Sequence, residues 1–380
     1  MKAKIVALGG DGIGPEVMEE GLRVLSAVEE VTGLDIEVRK FRCGWQYFQQ
    51  HTSLWEEGTF EACKEWADAV LFGAVGWPGA RPKRWGTYDG SVILDLRYGL
   101  ELYANLRPVR LLTGVPVLLN KRQVKVWEPD HVDLVFVREN LEDLYFGAMS
   151  TPYPTDSTDI QVDERTTTRK GSTRIVRFAF EEAIRRAGKV GRRKGHRSSV
   201  TCVDKSNAFP GCALFRAVFE KVAEDFKKIP TLKYYVDAFQ LAMLQDPARF
   251  DVVVTPNFIG DIVTDLAAIL QGGLGMAPSA NIGDKKALFE PVHGSAPDIA
   301  GKGIANPTGM ILSVGMMLDW LGQRSGDRKF QKASELVETA VAGHYSSSGP
   351  RTPDLGGKGK TKAVTDSIIK RINNYTQRLK

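Results

Sequence analysis

The stretch Asn257 to Asp265, NFIGDIVTD, follows the apolar run Val252-Val253-Val254 and places Asp261 and Asp265 four residues apart. If the loop after that run opens a helix, both carboxylates lie on one face, one turn apart. Like charges so close repel unless a cation sits between them, and a hard, oxygen-ligated divalent ion suits them best. The same spacing also suits an amphipathic helix with two solvated acids. The segment Glu290 to Pro307, EPVHGSAPDIAGKGIANP, is rich in Gly and Pro and too irregular for core. A metal-carrying helix beside a rigid loop points to a small-molecule enzyme.

Arg97 in SVILDLR and Arg107 in YANLRP have apolar neighbours that make a free guanidinium costly. Structural ion pairing would satisfy either one alone. Together with Arg138 they argue for a carboxylate-binding cluster, because arginine forks grip carboxylates through two parallel hydrogen bonds. A di- or tricarboxylic acid substrate follows. Tyr145 lies seven residues beyond Arg138. It is either a packing aromatic or, beside arginines and a metal, a proton donor. Lys205 closes a strand and becomes a candidate base if a cation lies near it.

Strand-like runs alternate with helical periodicity, which argues for an α/β protein. Strands are expected at Ile5–Leu8, Asp35–Phe41, Ala69–Phe72, Leu134–Val137, Ser199–Asp204 and Asp251–Thr255, with a helix from about Pro15 to Thr32. The candidate residues follow the ends of such strands, where open α/β sheets carry their sites. The turn Gly9-Gly10-Asp11-Gly12-Ile13-Gly14 does not fit a dinucleotide-binding loop, since its glycine spacing differs and Asp11 would oppose a pyrophosphate. Glu37, which such a loop would need as its ribose acid, is set aside with it. A close-packed turn with Pro15 in the first helical turn fits better. Thr166 to Thr173 reads as an excursion or arm, Lys358 to Lys362 as a mobile loop, and Trp77 to Trp85 as a mobile loop over the pocket.

The chain has 380 residues, 43% hydrophobic and 26% charged, enough for a large core and two lobes. Its net charge of +5 is 51 basic minus 46 acidic residues. The densest basic run, Arg185 to Arg197, lacks interleaved aromatics and reads as a solvated helix end and loop, so no nucleic-acid partner is expected. Cys43, Cys63, Cys202 and Cys212 show neither metal-ligand spacing nor a disulfide framework, which fits a reducing cytoplasm. No signal peptide is expected, because Met1-Lys2-Ala3-Lys4 leads straight into a strand, and no apolar run is long enough to span a bilayer.

In order along the chain, LGGDGIGPEV, LRYGLELYANLRP, RENLEDLYFG, VDKSN, VTPNFIGDIVTD and EPVHGSAPDIAGKGIANP resemble the metal-dependent β-decarboxylating dehydrogenases. These include isopropylmalate, isocitrate, homoisocitrate and tartrate/D-malate dehydrogenases. The resemblance implies a two-lobed α/β fold around a central mixed sheet, not the usual Rossmann fold. One lobe would hold residues 1–103 and 272–380, the other residues 104–271 with the dimer contact and metal helix. It further implies that Arg97, Arg107 and Arg138 hold the malate moiety, Tyr145 protonates the enolate carbon and Lys205 takes the hydroxyl proton. Asp237, Asp261 and Asp265 resemble ligands of Mg2+ or Mn2+. Lys205 and Asp237 would enter the site from the partner of a homodimer or tetramer.

The loop from His293 through Gly294, Ser295, Ala296, Pro297 and Asp298 to Asn306 resembles the adenosine site. An acid at Asp298 accepts ribose hydroxyls and repels a 2′-phosphate, so NAD is the expected cofactor. Ser91, Ile93 and Leu94 would line the pocket for the variable substrate group. Ile93 replaces an asparagine of the isocitrate enzymes, and an apolar wall favours the isopropyl group at roughly 0.8 kcal/mol per buried CH₂. Asn140, Val109 to Pro116 and Lys205 to Asn207 lean toward the tartrate/D-malate and homoisocitrate branches. Isopropylmalate is ranked first. A non-catalytic regulatory subunit would keep the fold and lose active-site groups, whereas Tyr145, Lys205, Asp237, Asp261 and Asp265 are all present.

Overall fold

The computed structural model of the chain describes residues 2–78, 91–146, 162–188 and 198–377. A ten-stranded mixed sheet runs through it. Its strands are β1 (Lys2–Gly10), β2 (Asp35–Phe41), β3 (Ala69–Ala74), β4 (Ala104–Arg110), β7 (Asp133–Glu139), β8 (Val200–Asp204), β9 (Thr231–Tyr235), β10 (Val252–Thr255), β11 (Pro278–Ile282) and β12 (Ala287–Pro291). A small hairpin, β5 (Val117–Leu119) and β6 (Arg122–Val124), stands apart. The sheet order is β2-β1-β3-β12-β11-β4-β7-β10-β8-β9. Pairs at both ends are parallel, and the central β12-β11-β4-β7 pairs are antiparallel.

The helices are α1 (Gly14–Thr32), α2 (Trp45–His51), α3 (Ser91–Gly99), α4 (Arg169–Ala187), α5 (Pro210–Ala223), α6 (Val236–Gln245), α7 (Asn257–Ala267), α8 (Thr308–Ser325), α9 (Arg328–Tyr345) and α10 (Thr361–Gln377). Alternating side chains give the sheet two apolar faces. Ile5, Ala7, Ala69 and Leu71 pack toward α1 and α8, while Val6, Leu8, Val70 and Phe72 pack with Val92 and Leu96 of α3. No helix among the described residues is long and apolar enough to cross a membrane.

The six strands expected from sequence are present, within a few residues at their ends. Missing from that expectation are β4, β9, β11 and β12. In β4, β11 and β12 the buried polar or charged residues Asn105, Arg107, Ser279, Asn281 and Glu290 break the apolar run, and β9 (TLKYY) has no buried residue.

Three surface expectations are corrected. Thr166 to Thr173 is no arm: Thr168 caps α4 by accepting from the Gly171 amide at 3.0 Å, and the helix continues from Arg169. Arg186, in the run read as solvated, is buried and binds Asp251 at 2.8 Å and Asp133 at 3.0 Å. The Lys358–Lys362 segment is pinned by the Gly359 amide on Arg351 O at 2.7 Å and the Thr361 amide on Gly303 O at 3.0 Å. Of the Trp77–Trp85 loop, Gly79 onward lies outside the described residues.

The glycine turn after β1 is close-packed, as expected. Asp11 is fully buried and accepts from the amides of Trp45, Gln46 and Gly76 at 3.0, 2.9 and 3.2 Å, which caps α2. Gly44, at φ 103°, must lack a side chain because a Cβ there would stand 2.6 Å from the Asp11 carboxylate. Glu37 pairs instead with Lys2 at 2.9 Å.

Candidate active site

The strand β10 ends at Thr255 and α7 begins two residues later, so Asp261 and Asp265 lie on one helical face as their spacing requires. Local bonds seat the helix: the Phe258 amide donates to Asp143 at 3.0 Å, and the Asn257 side chain donates to Glu142 O at 3.0 Å. Gly260 is needed because a Cβ would lie 2.3 Å from Thr255 Oγ1 and under 3 Å from the Arg138 side chain.

Arg138, from β7, lies across this glycine almost wholly buried, and its Nε donates to Asn257 at 2.9 Å. Its guanidinium pairs with Asp261, as does the Tyr145 hydroxyl. Arg107, from β4, reaches Asp261 at 3.4 Å and Asp265 at 3.2 Å. One carboxylate thus brings together two arginines and the tyrosine. Burial pushes Asp261 upward, but Arg138 and Arg107 outweigh it and hold the group at about 2. Burial and the Asp261 charge raise Tyr145 to about 12, so the phenol keeps its proton at neutral pH. Asp265 is raised by burial, against the pull of Arg107.

Arg97, near the end of α3, is joined to this cluster through groups that sequence reasoning missed. Its guanidinium meets Glu290 at 3.4 Å, and Glu290 accepts from Asn281 at 2.7 Å. Asn281 Oδ1 accepts from Asn105 at 3.1 Å and Asn140 at 3.0 Å, and Asn105 Oδ1 accepts from Arg107 Nε at 2.8 Å. This buried polar chain runs through β12, β11 and β4 and the Asn140 that follows β7, and it links Arg97 to Arg107. Polar residues inside strand patterns were the available signal. Asn140 is fully buried and also donates to Leu102 O at 2.9 Å.

A cavity of about 150 Å³ lies between Ile93, Arg97, Arg107 and Glu290 on one side and Val292, His293 and Gly294 on the other. It joins the arginines to the irregular loop, so the substrate and cofactor candidates share one cleft. Ile93 forms part of its wall; Leu94 is half-buried and does not. Ser91 opens α3, and its side chain is outside the described set. The loop is seated on the glycine turn: the Ile13 amide donates to Ser295 O at 2.8 Å, and Ser295 Oγ donates to Gly76 O. Ala296 holds a left-handed φ of 38° beside the half-buried Pro297. Asp298 is exposed and keeps its carboxylate free of hydrogen bonds to described residues. Asn306 spends its side chain within the fold, on Asp354 at 3.0 Å and the Thr308 amide at 3.0 Å.

Lys205 and Asp237 pair with each other at 2.7 Å and contact none of the arginines, Tyr145 or Asp261 within one chain. Among the described residues no three His, Cys, Asp or Glu side chains form a metal cage within the chain. The oxygen donors of Asp261 and Asp265 suit a hard divalent cation. Leu241, Phe258 and Ile262 are 60%, 39% and 52% exposed on α6 and α7, beside Asp237 and Asp265.

The family described as Isocitrate/isopropylmalate dehydrogenase matches residues 4–372. The homoisocitrate dehydrogenase of Methanocaldococcus jannaschii is 41% identical over 371 residues, 97% of this chain and 97% of that protein. The 3-isopropylmalate dehydrogenase of Archaeoglobus fulgidus is 41% identical over 366 residues, 96% of this chain and 98% of its own length. The crystal structure of isocitrate dehydrogenase from Methylococcus capsulatus superposes with a TM-score of 0.81 at 34% identity, covering 97% of this chain and 99% of that one.

Proposed function

Because the chain belongs to the isocitrate/isopropylmalate dehydrogenase family, we propose that it is an NAD-dependent enzyme that oxidatively decarboxylates a malate-type (2R)-2-hydroxy acid, first of all 3-isopropylmalate. The observation that carries this is the convergence of Arg107, Arg138 and Tyr145 on Asp261, with Arg97 tied in through Glu290. Three guanidinium groups grip two carboxylates of a substrate and fix which hydroxyl faces the reacting groups. Asp261, Asp265 and the partner subunit's Asp237 would hold a divalent ion, which would supply charge easing loss of the hydroxyl proton, and bound NAD would supply the hydride acceptor.

The partner subunit's Lys205 takes the hydroxyl proton. Tyr145, still protonated at neutral pH, delivers a proton to the carbon that has lost carbon dioxide. The exposed apolar strip of α6 and α7 supports a homodimer through this face, which would bring each Lys205–Asp237 pair to the other copy's site. Asp298 stands free to accept the ribose hydroxyls of NAD.

Ile93 in the cavity wall supports an apolar substituent on the substrate. Asn140, which leaned toward the tartrate/D-malate and homoisocitrate branches, is buried in the polar chain and lies outside the cavity lining, which weighs for isopropylmalate.

The test follows NADH formation with Mn2+ and NAD on isopropylmalate, D-malate, tartrate, homoisocitrate and isocitrate in parallel. A clear preference for isopropylmalate is expected. Preference for a tricarboxylic acid would sink the substrate assignment and leave the family chemistry standing. No turnover of any of them, with metal and NAD still bound, would favour a regulatory subunit.

A further inference from the structure

The sheet face opposite the arginines is incompletely covered. Strand alternation turns Asn105 and Arg107 of β4, Asn281 of β11 and Glu290 of β12 toward the active site. The residues between them, Leu106, Pro108, Ala280 and Phe289, face the other way and floor a cavity of about 780 Å³. Phe178 of α4 and Leu312, Met316 and Trp320 of α8 form its walls. That volume lies within the roughly 300–1,000 Å³ usual for small-molecule sites.

Its polar groups are unevenly matched. Six carboxylates and three guanidinium groups line it. The arginines are engaged: Arg185 with Glu182 at 2.5 Å and Asp319 at 3.1 Å, Arg186 with Asp251 and Asp133, Arg110 with Glu338 at 3.9 Å. Glu181 and Glu335 have no ion pair among the described residues. Gln271 is 97% buried in the cavity lining. Its Oε1 accepts from the Arg110 amide at 3.2 Å, and its NH2 finds no partner among the described residues. Gln271 therefore offers a hydrogen-bond donor at the cavity wall.

We propose that this cavity is a second ligand site for an organic cation with a flat apolar body. The body lies on the sheet floor between Phe178 and Trp320, the ammonium group meets Glu181 and Glu335, and an acceptor atom or π-face meets the Gln271 amide. The site shares no lining residue with the cleft at Arg97 and Arg107, so its occupancy requires neither NAD nor metal nor hydroxy acid.

Titration calorimetry of the full chain with tryptamine tests this, with indole-3-propionate as the same body carrying the opposite charge. Tryptamine is expected to bind one per chain and the anion not to bind. The paired substitution Glu181→Gln and Glu335→Gln, both on exposed positions, should weaken tryptamine at least tenfold, and Leu312→Trp should abolish binding by filling the space. Absence of saturable tryptamine binding overturns the proposal. So does equal binding of the two indoles, or tryptamine affinity unchanged in the paired glutamine variant.

Discussion

Two carboxylates on neighbouring segments, Asp261 half-buried and Glu139 buried, behave in opposite ways. Asp261, on the arginine side of the sheet, is held at about 2 because Arg138 and Arg107 outweigh its burial. Glu139, at the end of β7, is pushed by burial to about 7, although it accepts from the amides of Leu141 at 3.0 Å and Glu142 at 2.7 Å. Burial raises both groups, and only Asp261 has the counter-charge that outweighs it. On the arginine side the fold has gathered guanidinium groups around a carboxylate. On the far side acids outnumber arginines, and an apolar floor replaces the polar chain.

The sharpest break of this contrast is Asp261→Asn. It removes the charge on which Arg107, Arg138 and Tyr145 converge, and turnover should fall on the order of 10²–10³-fold in steady-state assays. Mixing Tyr145→Phe subunits with Lys205→Met subunits should restore activity to about a quarter of the native value, because half of random pairs carry one intact site across the two-fold axis. No restoration in mixed dimers would place both groups in one chain's site. Asn281→Ala cuts the buried chain between Arg97 and Arg107. Denaturant titration should show a loss of about 1–3 kcal/mol, with a raised KM from the freed arginines.

Asp298→Lys should shift the ratio of NAD to NADP use by roughly tenfold, about 1.4 kcal/mol; an unchanged ratio removes Asp298 from the cofactor assignment. The smallest effect concerns Glu139. A carboxyl raised in the fold contributes stability that is complete below its ordinary value and is lost as pH rises through about 7. Glu139→Gln should therefore melt higher than the native chain above pH 7 and show little advantage near pH 4. An equal gain at both pH values would mean that the charge is not the cause.

Much of the candidate site was legible because its residue types are costly where they stand. Arginines in apolar segments, two acids one helical turn apart and a loop too irregular for core each signal chemistry before any contact is known. The polar chain linking Asn105, Asn281 and Glu290 was not legible, since these residues weaken the strand pattern that would have located them. Arg186 was misjudged for a related reason: its partner Asp251 is 65 residues away, and a run of basic residues gives no sign of it.

By itself the sequence determined the alternation of strands and helices, the facing of Asp261 and Asp265, and the family through its ordered motifs. Those are set by local periodicity and residue chemistry. Only the tertiary structure decided which acids meet arginines and which do not, that Lys205 pairs with Asp237 away from Tyr145, and that the far face of β4 opens onto a cavity. Each of these depends on groups distant in the chain meeting across a sheet, and pairwise distance in space is what a linear pattern does not carry.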